Sequence, residues 1–441
     1  MPAAVPKLSL PFKESTDAQG VNMKTSTTHK MEISKYCKTV AVATIVALAG
    51  SFNAAAEIGI TNDKIIIGGV MDLEGRSRGL GQGMKDGIMA ALSGKRVKGR
   101  QFEFITLNDS YNPTKTKSAT EDLVGRGIFT MVGNVGTPTA GASLPVLQRA
   151  GIPAVGFFTG AGLLRPGKGD IVNYRASYVQ ETAAVIGAAI KAGVKPAEIC
   201  AYVQNDGYGM AGIAGVKAAL LSAGESKEIV ASLDEIMSLG GDNPFRNDIG
   251  PVGVYKRNTF SSRDGYESLK SWEAASGNKC RLVVTVGAYA SIANFIGYAS
   301  MKGEDWVYSA VSFTGAENLR NALREFGINR NVIVTQVVPP LNSRLPIVQE
   351  ARAALGSNLS YVTLEGYIVG SMMLKVMESM PGKEITRQSF LAAVKGKKFD
   401  LGGLKLDFSN DNQGSDLVIA TYLDGDDFNL LGSAEMNRLL R

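Results

Sequence analysis

The sequence predicts an α/β protein made of two doubly wound halves, each a parallel sheet with helices on both faces. Three observations predict it. From residue 65 onward, short β-branched runs alternate with amphipathic or small-residue stretches of helical spacing; the series restarts near residue 199; and run after run ends in a glycine-rich loop. Strict strand and helix alternation requires right-handed crossovers, which make the strands parallel and send helices to both faces. At 441 residues with 45% hydrophobic side chains, the chain is too long for one core and too apolar for disorder, so two domains are expected.

In the first half, residues 65–70 read as a buried strand, and 80–93 as a helix with Met84, Ile88, Ala91 and Leu92 at helical spacing. Strand 102–107, helix 114–126, strand 129–132, helix 139–150 and strand 153–157 follow. The second half reads as strand 199–203, helix 211–223, strand 252–255, helix 266–275, strand 282–286, helix 291–301 and strand 306–311. Residues 229–251, with Gly240-Gly241-Asp242-Asn243-Pro244, read as an insertion holding a helical turn and a loop. After a strand at 332–338, Pro339-Pro340 stiffens a crossing segment, and helices are expected near 345–356, 361–380 and 386–395. The tail changes character: 404–408 and 417–423 read as antiparallel strands joined by Asn/Asp/Gly turns.

The apolar run 39–50 follows Lys30, Lys35 and Lys38 and precedes Ala54-Ala55-Ala56, the layout of a cleaved secretory signal. The run is too short to span a bilayer, so residues 1–56 are expected to be a leader, with Met23 or Met31 as alternative starts, and the mature chain to begin near Glu57. Without the leader, 41 basic residues face 38 acidic ones; a charge of +3 spread over the rest offers no field for phosphate backbones, and no nucleic-acid partner is expected. Cys200 and Cys280 each open a strand-like run. If those strands are parallel neighbours a disulfide is geometrically feasible, with two buried thiols as the alternative.

The only histidine, His29, lies in the leader, which removes imidazole catalysis and histidine-ligated metal from the mature chain. Gly79-Leu80-Gly81-Gln82-Gly83 lacks dinucleotide-loop spacing, Asn412 stands where a calcium loop needs glycine, and no phosphate loop or nucleophile elbow occurs. No cofactor and no enzyme activity are expected, although Asp72 and Glu74 leave a carboxylate hydrolase formally open. Ligands in open parallel sheets sit at the carboxyl ends of strands. The loops there are Gly133-Asn134-Val135-Gly136-Thr137, Gly156-Phe157-Phe158-Thr159-Gly160, Asn205-Asp206-Gly207-Tyr208-Gly209, Gly287-Ala288-Tyr289 and Ser312-Phe313-Thr314. Two facing sets of small, hydroxyl and aromatic residues point to a cleft between the halves.

These loops, with Leu73-Glu74-Gly75 through Gly83, Val334 to Pro339, Leu364-Glu365-Gly366-Tyr367 and Asp411 to Asp416, resemble those of type I periplasmic solute-binding proteins of the branched-chain amino-acid (Leu/Ile/Val) family, which serve ABC transporters. The resemblance implies two lobes joined by a three-segment hinge: residues 57–177 with 337–405, and 178–336 with 406–441. It further implies a monomer in the periplasm that closes on a small molecule and docks on a membrane permease, or alternatively a sensory module reporting to a membrane kinase or chemoreceptor. Ligand contacts are expected from Leu80, Asn134, Val135, Gly136, Thr137, Phe158, Thr159, Gly160, Tyr208, Tyr289 and Phe313. Two positions depart from the family pattern, with Phe313 where an acid pairs the α-ammonium and Leu80 where an aromatic stands. A buried ammonium without a carboxylate is costly. The expected ligand is therefore a hydrophobic or aromatic molecule bearing a carboxylate, amide or hydroxyl, with an ordinary amino acid as the alternative.

Overall fold

A computed structural model describes residues 57–224 and 227–441; the expected leader lies outside them. The first lobe runs β1 (Lys64–Met71), α1 (Arg78–Leu92), β2 (Arg96–Val97), β3 (Arg100–Asn108), α2 (Pro113–Gly125), β4 (Thr130–Val132), α3 (Thr137–Arg149), β5 (Ala154–Val155) and β6 (Ile171–Val172). The second runs α4 (Tyr178–Lys191), β7 (Ile199–Gln204), α5 (Gly207–Ser222), α6 (Lys227–Ser238), β8 (Val252–Tyr255), α7 (Arg263–Ser276), β9 (Leu282–Val286), α8 (Tyr289–Met301), β10 (Val307–Ala310), α9 (Ala316–Arg324) and β11 (Val332–Gln336). Then come α10 (Pro346–Leu355), α11 (Tyr361–Ser379), α12 (Arg387–Val394), β12 (Lys398–Leu401), β13 (Leu404–Asp407), β14 (Ile419–Asp424), β15 (Asp427–Leu430) and α13 (Ser433–Leu439).

The first sheet has the order β2-β3-β1-β4-β5-β6 and the second β15-β14-β11-β10-β9-β7-β8. All pairings among β1, β3, β4, β5 and β6, and among β7 to β11, are parallel; antiparallel strands occur only at the sheet edges. The central strands β7 and β9 are buried at every residue, as a sheet covered on both faces requires. Helix α11 returns to the first lobe, where the backbones of α1 and α11 touch through Gly87 and Gly366. None of the described helices is long and apolar enough to cross a membrane.

Helices α4, α9 and α13 and strands β2, β6, β12 and β15 were not among the expected elements, and three expected ones take another form. Residues 227–238 form a full helix, because Ile229, Leu233 and Ile236 recur on one face and bury it; the glycines that suggested a loop follow the helix. Residues 404–407 pair with 398–401, not with the strand after 417, because Gly402 and Gly403 both take the positive φ (59° and 88°) that a tight hairpin turn demands. The strand after 417 instead joins β11 of the second sheet. Cys200 and Cys280 stand at the starts of adjacent parallel strands with Cα atoms 5.7 Å apart and are joined by a disulfide.

The chain passes between the sheets after β6, after β11 and after β13, and these segments bind one another. Asn173 N donates to Asn412 O at 2.8 Å, Gly414 N to Asn173 O at 2.9 Å, and Tyr174 Oη to Val337 O at 2.8 Å.

Candidate functional site

The carboxyl ends of the two parallel sheets face one another, so the loops that end the strands build the site from both sides. On the first lobe, the loops after β4 and β5 are laced together: Phe158 N donates to Asn134 O at 2.7 Å and Gly136 N to Phe158 O at 3.2 Å. This brings Thr137 Oγ1 and Thr159 Oγ1 to 2.7 Å from each other. Gly136 (φ 107°) admits no side chain, since a Cβ there would stand 2.3 Å from Cε2 of Tyr111. Gly160 is equally tight, with Tyr178 N 2.7 Å from the position of a Cβ. Asn134 turns away from the cleft, its Oδ1 accepting from Val70 N at 2.8 Å.

On the second lobe, Asp206 caps α5. It accepts from Tyr208 N (2.9 Å), Gln204 Nε2 (2.8 Å) and Arg257 Nη1 (2.5 Å), so the stretch expected to be a loop is already the first helical turn and Tyr208 is fixed within it. Phe313 lies in a single 3₁₀ turn (Ser312–Thr314) and is completely buried. Its ring centroid is 5.2 Å from that of Phe158, 4.8 Å from Tyr208 and 6.1 Å from Tyr111, while Tyr208 lies 5.2 Å from Tyr178. Centroid spacings of this order are those at which aromatic rings attract one another beyond plain area burial.

The lobes are closed on one another. Gln204 Nε2 donates to Tyr111 Oη at 3.1 Å across the cleft, and Gly79 N donates to Tyr289 Oη at 3.4 Å. A Leu80 methyl lies where any side chain at residue 315 would stand, and the Arg76 guanidinium sits 4.2 Å above the Phe260 ring.

Behind the rings lies a buried charge cluster that sequence reasoning missed. Arg175, from the first crossing, reaches Glu181 Oε1 of α4 with Nη2 at 3.1 Å and stands 3.4 Å from Glu365 of α11 with Nη1; it also donates to Ser312 Oγ. The three charged side chains are 0–3% exposed. Glu181 further accepts from Ser312 N (2.7 Å), Ser312 Oγ (3.0 Å) and Thr335 Oγ1 (2.5 Å). The guanidinium stacks 4.9 Å from the Phe158 centroid and 5.7 Å from that of Tyr178. Burial by itself would lower the pKa of Arg175; Glu365 and Glu181 more than reverse this and hold it firmly protonated. Burial pushes the Glu365 carboxyl up to about 7 against the pull of Arg175.

Of the expected contact residues, the structure thus brings Thr137, Phe158, Thr159, Tyr208 and Phe313 into one cluster, with Val135 and Gly136 shaping its backbone. It leaves Leu80 and Tyr289 at the closing rim and Asn134 turned toward β1. Tyr111, Arg175, Tyr178, Glu181 and Gln204 were not anticipated. Tyr111 carried a usable signal, as it lies in the loop directly after β3, one of the strand-end loops that the sequence reading did not use. Asp72 and Glu74 are engaged locally: Asp72 accepts from Gly75 N and Ser77 N, and Glu74 from Asn108 Nδ2. Among the described residues no cluster of His, Cys, Asp or Glu is placed to hold a metal.

A family model described as periplasmic binding protein matches residues 64–234. Among solved structures, a possible leucine/isoleucine/valine-binding protein from Rhodopirellula baltica SH 1 is 34% identical, covering 87% of this chain and 99% of its own with a TM-score of 0.75. A fatty acid ABC transporter substrate-binding protein from Thermomonospora curvata is 15% identical (87% and 96% covered, TM-score 0.69). An ABC transporter solute-binding protein from R. palustris, in complex with 4-hydroxybenzoate, is 17% identical (84% and 96% covered, TM-score 0.64). No curated protein matches the chain.

Proposed function

We propose what the cleft holds from the premise that this chain belongs to the type I periplasmic binding proteins, in the leucine/isoleucine/valine-binding family. It is a solute-binding protein. Its ligand is a small hydrophobic or aromatic molecule bearing a carboxylate, amide or hydroxyl group, taken up between the lobes without covalent chemistry. The observation that carries this reading is the meeting of Phe158, Phe313, Tyr208 and Tyr111 across the cleft beside the paired hydroxyls of Thr137 and Thr159. Apolar walls with a few convergent polar groups are the usual lining of a small-molecule site. The relatives from T. curvata and R. palustris, whose names give a fatty acid and 4-hydroxybenzoate, share only the fold; they agree with the reading without carrying it.

In this reading the protein works in the periplasm as a monomer, with residues 57–177 and 337–405 as one rigid body and 178–336 and 406–441 as the other. The ligand favours the closed arrangement by contacting both lobes at once, and an ABC permease distinguishes closed from open protein. Thermal-shift screening of the purified protein tests it, since a ligand at 100 times its Kd adds about 2.7 kcal/mol to native stability. Aromatic and aliphatic acids, amides and alcohols should raise the melting temperature. A strong shift with leucine or valine and none with these compounds would overturn the reading.

A further inference from the structure

The polar atoms around the aromatic cluster are unevenly spent. On the acceptor side, Glu181 receives four hydrogen bonds, the full capacity of a carboxylate, from Arg175, Ser312 (twice) and Thr335. Asp206 is taken by Tyr208, Gln204 and Arg257, and Asp109 by Tyr111 N and Thr116 Oγ1. Glu365 faces the guanidinium, so a cation placed there would lie against Arg175. The unpartnered Oε2 of Glu317 belongs to a separate recess bordered by Arg320, Pro340, Leu341 and Tyr361.

On the donor side the opposite holds. Arg175 Nε and Nη1 are buried without a hydrogen bond, and so is Tyr208 Oη. Glu365 stands 3.4 Å from Nη1, an ion pair outside hydrogen-bond geometry, which leaves these N–H groups available. They belong to a guanidinium already stacked on Phe158 and linked to Ser312, the residue before Phe313. Buried donors without acceptors are rare and call for an acceptor from elsewhere.

We infer that the cleft selects organic carboxylates lacking an ammonium group, and that Arg175 receives the carboxylate while the ring cluster takes the apolar body. The assignment deepens, and rests on, the proposal that the cleft binds a small apolar solute. An α-amino acid is rejected because its ammonium finds no uncommitted carboxylate among the residues around the rings and sits near a fixed guanidinium. Arg175 is thereby a specificity-determining residue on the hinge itself.

Calorimetric titration with three probes of one skeleton tests this: 3-phenylpropanoate, 3-phenylpropanamide and L-phenylalanine. The acid should bind about tenfold or more tightly than the amide, as expected for a hydrogen bond to a charged group, and phenylalanine more weakly than the acid. Arg175→Met should bring the acid-to-amide ratio close to one, whereas Arg175→Lys should preserve a preference for the acid. If Arg175→Met does not fold, the wild-type ratio alone decides. Equal binding of acid and amide, or tighter binding of phenylalanine, overturns the inference and leaves the cleft reading standing. Failure of all three, and of benzoate and octanoate, sinks the cleft reading and the inference together.

Discussion

Replacing Glu365 with glutamine should change how stability responds to pH. Glu365 is buried on α11, 3.4 Å from Arg175, and burial raises its carboxyl from the ordinary 4.5 to about 7. The folded protein therefore holds this proton more tightly than the unfolded chain. Its contribution is fully present below 4.5 and is lost as pH rises through about 7. Between pH 5 and pH 8 the loss amounts to roughly 2–3 kcal/mol, from a shift of about 2.5 units at 1.36 kcal/mol each, less the part already lost by pH 5. Glutamine cannot ionise, so Glu365→Gln should gain about that much relative to wild type over the same interval. Asp109, raised by burial to about 6, and Asp206, raised by burial against the pull of Arg257, act in the same direction but are common to both proteins and cancel in the difference. Urea denaturation followed by the fluorescence of Trp272 and Trp306 measures it at both pH values. Parallel pH profiles for variant and wild type would refute the idea that Glu365 carries a buried, proton-linked charge.

Two further perturbations address the cleft and the second lobe. Phe313→Ala removes a fully buried ring from among Phe158, Tyr208 and Tyr111 and should cost about 3–5 kcal/mol in chemical denaturation; a loss under 1 kcal/mol would mean the ring is not packed there in solution. Paired Cys200→Ser and Cys280→Ser opens a loop of 80 residues and should lower stability by roughly 4 kcal/mol in the chain-entropy treatment, whereas indifference to reducing agent in wild type would argue against the bond.

How legible each part was follows from the range of the interaction behind it. The parallel core strands were visible because strands buried on both faces must be nearly continuous in apolar residues, as 199–203 is throughout and 282–286 is apart from Thr285. Helix α6 was misread because two glycines spoke louder than a three-residue apolar stripe, and the tail strands were paired wrongly because any two short alternating runs are compatible until a turn selects one pair. In the site, the glycine-rich loops announced themselves, since close backbone approach at Gly136 and Gly160 leaves a local trace. Arg175 left none. Its meaning lies in Ser312, 137 positions away, and in a glutamate on a helix that returns to the first lobe late in the chain.

The order of residues by itself determined the two doubly wound halves, the placement of both cysteines at strand starts, and the ring of loops with Thr137, Phe158, Tyr208 and Phe313 at its edge, because periodicity and turn chemistry act over a few residues. Only the closed tertiary structure decided that those rings meet, that Asn134 turns away from them, and that Arg175 keeps unpaired donors behind Phe158. Whether a buried group is satisfied depends on every neighbour the fold brings to it, and those neighbours come from segments far apart in the chain.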